Sequence, residues 1–112
     1  SVPDRGDIVV LRRPDISDEP PLIKRVIGLP GETVEIRDGS VWIDGEMLAE
    51  DYLDQATAGV MPSVLVPEGY IFVLGDNRGH SNDSRSFGVV STDNIIGQAW
   101  LAYWPISAWR LF

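Results

Sequence analysis

A chain of 112 residues is long enough to close one hydrophobic core and too short for two, which predicts a single domain over 1-112. Apolar residues make up 44% and charged residues 23%, the balance of a folded globular chain and not of a disordered one. A formal net charge of −8 repels a phosphate backbone, while the lack of cysteine and a lone histidine exclude disulfides, thiolate zinc and histidine-rich metal sites, so neither nucleic acid nor a cofactor is expected.

In chain order the periodicity is that of strands, and the fold class expected is all-β, mostly antiparallel, with little helix. Ile8-Val9-Val10-Leu11 is a first apolar run, and Leu22-Ile23-Lys24-Arg25-Val26-Ile27 a second, ended by Leu29-Pro30-Gly31-Glu32, where proline before glycine suits a type II turn. Thr33 to Arg37 alternates cleanly. Asp38-Gly39 and Asp44-Gly45 then supply two tight hairpin turns, predicting a three-stranded meander with Val34, Ile36, Val41 and Ile43 in the core. Residues 46-63 read as a variable surface excursion, with a short helix over Ala49 to Ala58 as the weaker alternative. Val64-Leu65-Val66 and Tyr70 to Leu74 are continuous apolar runs, the pattern of strands covered on both faces, and are expected at the centre of the core. Strand character returns at Val89-Val90 and from Ile95 to Tyr103. The aromatic C-terminal run with Trp104, Trp109 and Phe112 reads first as a strand docked on the core edge and second as a membrane-interface segment. No stretch approaches the roughly 20 apolar residues that span a bilayer as a helix.

Lys24 is the only lysine, set between aliphatic neighbours on its own face of a strand. In water a lysine pKa near 10.4 leaves about one amine in a few thousand neutral at pH 7. Burial disfavours the ammonium and so makes the amine a usable base. The plain alternative is an edge-strand lysine with its head in water. The polar stretch from Asp76 to Ser86 directly follows the most apolar strand, as active-site loops often do, and within it Asp83 can pair with Arg85. A triad of His80 with a neighbouring serine and Asp76 or Asp83 is disfavoured, because neighbours on one loop point apart. Arg5-Gly6-Asp7 matches the cell-adhesion tripeptide, but it leads straight into a strand and reads as a chance match.

Three ordered segments carry a family resemblance. They are Arg5-Gly6-Asp7-Ile8-Val9-Val10, then Lys24-Arg25-Val26-Ile27-Gly28-Leu29-Pro30-Gly31-Glu32, then Gly75-Asp76-Asn77-Arg78 with Ser81, Asp83-Ser84-Arg85 and Phe87-Gly88. Together they resemble the boxes of type I signal peptidases, from about Asp4 to Pro105 outside residues 49 to 63. The resemblance implies a serine endopeptidase with a Ser/Lys dyad that removes signal peptides from exported preproteins. On it, Lys24 is the general base, Ser81 hydrogen-bonds the lysine, Asp83 and Arg85 brace the site, Asp76 and Asn77 support it, and Ile23 lines the pockets for small substrate side chains. It further implies a catalytic domain on the extracytoplasmic side of the cell membrane, held there by an N-terminal anchor; a further contact through Trp104, Trp109 and Phe112 rests on their aromatic composition alone and is the second reading of that run.

The Ser-Met-x-Pro box that carries the family's nucleophile does not occur at the start of these residues, where Ser1-Val2-Pro3 stands too close to the Arg-Gly-Asp box to replace it. The chain therefore reads as an N-terminally incomplete catalytic domain, expected to be inactive by itself. Two other readings are a self-cleaving repressor-type Ser/Lys protease, opposed by the Gly75 to Gly88 box, and a non-catalytic β module that binds peptides along a strand.

Overall fold

The computed structural model describes residues 2–13 and 19–99. It holds nine strands: β1 (Ile8–Leu11), β2 (Leu22–Gly28), β3 (Thr33–Arg37), β4 (Ser40–Ile43), β5 (Glu46–Met47), β6 (Met61–Leu65), β7 (Tyr70–Leu74), β8 (Val90–Ser91) and β9 (Ile95–Ala99). One short helix, α1 (Ser84–Phe87), and a 3₁₀ turn at Thr92–Asn94 complete the described elements. All the strand pairings are antiparallel, giving a five-stranded sheet in the order β8-β7-β2-β1-β9 and a four-stranded one in the order β5-β4-β3-β6. The all-β class is as the periodicity indicated. The aromatic residues Trp104, Trp109 and Phe112, and the strand expected past Ala99, lie outside the described residues.

Local chemistry explains the second sheet. Asp38 and Gly39 take φ of 54° and 76°, and Asp44 and Gly45 take 51° and 83°, the left-handed pairs that a two-residue hairpin turn demands. They set the registers Arg37↔Ser40 and Ile43↔Glu46. Strand β3 buries Val34 and Ile36 and leaves the residues between them partly exposed, so this sheet has one covered face. Ile43 is only partly buried and packs against the core margin.

The five-stranded sheet is covered on both sides. Phe72 and Leu74 of β7 join Ile27, Val34, Ile36 and Val41 in the cluster between the sheets, while Ile71 and Val73 join Val9, Leu11, Val26 and Val90 in a second cluster. Alternation along a strand sends successive side chains to opposite faces, so a continuous apolar run is what two covered faces require. Burying an aliphatic or aromatic side chain contributes about 1.5–3 kcal/mol. Strands β2 and β7 feed both clusters and so tie the layers together.

The Val64-Leu65-Val66 run departs from expectation. Strand β6 stands at the edge of its sheet, with Leu65 62% exposed and only Val66 of the three fully buried. With one free edge and one covered face, an apolar run there need not be a central strand. Between β5 and β6, residues 48–60 carry no helix or strand.

Strand β2 bulges against β7 between Val26 and Gly28, and at Gly28 it packs tightly against Val34 of β3. A Cβ on Gly28 would lie 2.5 Å from Val34 Cγ2 and 3.0 Å from Phe72 Cβ. Gly28→Ala is expected to destabilise the fold by about 1–3 kcal/mol through overpacking. Urea unfolding checks this, and a variant as stable as the parent would mean that β3 can give way.

Candidate functional site

Strand β2 presents Lys24 on the same face as Val26, opposite Val9 in the β1 register, so the lysine stem lies among buried aliphatics. The side chain is 5% exposed, and its Nζ donates to Ser81 Oγ at 3.0 Å. Burial lowers the amine pKa from the ordinary lysine value. Asp83 pulls it back up, Arg85 adds to the lowering, Glu19 opposes it, and the net shift remains downward. The water-facing edge lysine is thereby ruled out.

The partner loop runs from Gly75 to Arg85, and three arginines hold it. Arg85 grips Asp83 with both arms of its fork, Nε to Oδ1 at 2.9 Å and Nη2 to Oδ2 at 2.7 Å. Arg25 grips Asp76 the same way at 2.8 and 2.6 Å. Arg78 grips Glu50 at 2.8 and 2.7 Å. Bidentate pairs of this kind fix geometry as well as charge. Each guanidinium also donates to a backbone carbonyl: Arg25 to Gly6 at 2.9 Å, Arg78 to Gly75 at 2.8 Å and Arg85 to Arg78 at 2.6 Å. A polar loop with almost no regular structure is thus tied down along its length.

Asp83 is the pivot. Its carboxylate is fully buried, accepts from Gly75 N–H at 3.0 Å, and caps α1 by accepting from Arg85 N–H at 3.1 Å. Burial by itself pushes this carboxyl pKa up. The Arg85 hydrogen bonds and the Gly75 N–H outweigh that, and the net shift is downward. Ser84 is buried as well, its hydroxyl accepting from Val73 N–H at 2.9 Å.

The structure brings Lys24, Ser81, Asp83, Arg85 and Asp76 to one end of the β2–β7 pair. Asn77 sits further out, exposed, its Oδ1 accepting from Gln55 Nε2 at 3.2 Å. Ile23 is half-buried, next to Lys24 on the opposite face of the strand. His80 is exposed, and Ser84 and Asp83 are spent on Val73, Arg85 and Gly75, so no His-centred triad forms among the described residues. Arg25, Arg78, Glu50 and Tyr52 received no role from the sequence. The motif placed Arg25, Asp76 and Arg78 without showing that Arg25 and Asp76, 51 positions apart, pair; Glu50, 28 positions from Arg78, stands where no local pattern marks it.

Comparisons with known proteins agree on one lineage. The model of the family described as signal peptidase, peptidase S26, matches residues 1–104. The probable signal peptidase I-1 of Synechocystis is 42% identical over 96% of this chain and 58% of its own. The chloroplastic thylakoidal processing peptidase 1 of Arabidopsis thaliana is 37% identical over 94% of this chain and 34% of its own. The chain thus spans only part of the curated relatives it matches. A crystal structure of a signal peptidase I from Enterococcus faecalis superposes with a TM-score of 0.76 at 38% identity, covering 88% of this chain and 97% of that one.

Because the Asp83 pKa is depressed in the folded state, the carboxylate stabilises the fold above its unfolded pKa of about 3.9 and loses that effect as pH falls through the folded value. Asp83→Asn strips Arg85 of its anion, and breaking a buried pair typically costs about 3–5 kcal/mol. The deficit should be full at pH 7 and shrink below pH of about 3.9 as the parent loses its own contribution. Chemical denaturation at both pH values measures it, and a deficit of the same size at each would contradict the account.

Proposed function

The chain belongs to the signal peptidase family, peptidase S26, and on that premise we propose that it forms the catalytic domain of a serine endopeptidase that removes signal peptides from exported preproteins. The observation that carries the reading is the buried Lys24 amine on the Ser81 hydroxyl at 3.0 Å.

In this mechanism the neutral amine of Lys24 takes the proton from the hydroxyl of a serine in a Ser-Met-x-Pro segment as that oxygen attacks the scissile carbonyl, then hands it to the leaving amine. Ser81 orients the lysine so that its lone pair faces the incoming hydroxyl. Asp83 with Arg85, and Asp76 with Arg25, keep the loop from moving away from β2. Asn77 supports the outer side of the loop. Ile23 contributes to shallow pockets that admit small side chains, as in Ala-x-Ala, with the substrate adding an extended strand. The domain works on the extracytoplasmic face of the cell membrane, where Trp104, Trp109 and Phe112 make a second contact with the lipid surface. No helix among the described residues is long and apolar enough to cross a membrane.

Lys24 is the only lysine, so lysine labelled with ¹⁵N and ¹³C gives one side-chain signal to follow against pH. Its midpoint is expected below the free-lysine value of about 10.4. A midpoint at that value would sink the base assignment and favour a peptide-binding module. When the chain is joined behind a Ser-Met-x-Pro segment, cleavage of an Ala-x-Ala peptide should rise with pH through the same midpoint, because only the neutral amine is a base. Lys24→Met should cut the rate by about 10²–10⁴-fold, the usual contribution of a positioned base.

A further inference from the structure

Residues 48–60, which have no regular structure, lie across the loop that carries Ser81 and are bound to it by side chains and backbone alike. Glu50 holds Arg78, and Thr57 Oγ1 accepts from the same Arg78 Nη1 at 3.0 Å. Ala58 N–H donates to the Arg78 carbonyl at 3.1 Å, and the Ala58 carbonyl accepts from Arg85 Nη1 at 3.2 Å. Tyr52 lays its ring 3.9 Å from the Arg25 guanidinium and donates its hydroxyl to Glu50.

The Arg78–Glu50 contact is costly to arrange. Among the described residues Arg78 is the largest fully buried side chain, and the Glu50 side chain that neutralises it is 7% exposed. Burying a guanidinium is unfavourable unless its charge and donors are all met. Arg78 Nε meets Gly75, its two terminal nitrogens meet Glu50 and Thr57, and its own carbonyl receives Arg85. Arg85 in turn holds Asp83, whose other bond goes to Gly75 N–H. Ser81 lies in the short span between Arg78 and Asp83, so both ends of its segment are pinned, and the pin at Arg78 is Glu50.

We propose that Glu50 is a positioning residue, and residues 50–58 a strap, which through Arg78 keep the Ser81 hydroxyl at hydrogen-bond distance from the Lys24 amine. Its catalytic meaning rests on the reading of Lys24 as a base. The charges acting most strongly on Lys24 are those of Asp83, Arg85 and Glu19, and Glu50 is not one of them. Neutralising Glu50 therefore reaches the amine by moving the loop and admitting water, not by removing a nearby charge.

The Lys24 titration in the intact chain tests this, with Glu50→Gln, Glu50→Asp and Tyr52→Phe beside the parent and circular dichroism reporting the fold. Glu50→Gln should raise the Lys24 midpoint by about one pH unit, a tenfold loss of neutral amine at pH 7. Glu50→Asp keeps the carboxylate and should raise it less. Ile36→Val, which loosens the core on β3 of the other sheet, should leave it unmoved. If Glu50→Gln lowers the melting temperature while the midpoint stays at the parent value, Glu50 is a structural brace alone and the inference is overturned. Should Glu50→Gln not fold, Tyr52→Phe, which removes a single hydroxyl from Glu50, carries the same reading, and an unchanged midpoint in it overturns the inference equally. A parent midpoint equal to that of free lysine would instead defeat the base assignment, so the two failures are told apart by which sample shows them.

Discussion

The hydrogen bond from Lys24 to Ser81 joins a strand in the middle of the five-stranded sheet to a loop that has almost no secondary structure of its own. A sheet can keep an amine dry by surrounding its stem with aliphatic side chains. It cannot by itself hold a hydroxyl opposite, since the chain must leave the sheet to reach that point. The requirement on the rest of the structure is therefore that a polar loop behave as a rigid body. Three arginine–carboxylate forks, each with a further bond to a main-chain carbonyl, meet it. Charge-assisted, two-pronged bonds restrict rotation as well as distance, which a set of single hydrogen bonds would not do.

Strand alternation makes the grip two-sided. Lys24 and Arg25 are consecutive, so their side chains leave β2 on opposite faces, and both end on the loop after β7: Lys24 on Ser81, Arg25 on Asp76. The loop straddles the strand. Displacing it in either direction breaks one contact or the other, so the adjacent placement of the two basic residues fixes the loop from both sides. The same logic explains why β2 and β7 must be covered on both faces, because a loop anchored to both sides of a strand needs a strand that does not move.

Much of the scaffold was legible in the residues. Aspartate before glycine specified both hairpin turns and with them the register of the meander, because few other dipeptides tolerate two left-handed conformations in succession. The unbroken apolar run of β7 indicated a strand covered on both faces. The similar run ending at Val66 did not mark a central strand, since an edge strand with one covered face can carry the same residues. At the site, the isolated lysine and the loop composition pointed to Lys24 and to an Asp83–Arg85 pair, while Ser81 was singled out among the loop serines only by the family resemblance. Glu50 and Tyr52 stayed hidden: an ion pair between distant segments leaves no periodic trace, and residues 49 to 63 fall outside the segments that carry the resemblance.

Apart from Lys24, each of the nine lysine and arginine side chains is arginine, and the guanidinium stays protonated at any pH a protein survives. Above the histidine range the basic side chains thus present an unvarying set of positive charges, with one amine among them free to change state. The other basic side chains therefore keep a constant charge while that amine titrates, and no neighbouring lysine ammonium loses its proton alongside it.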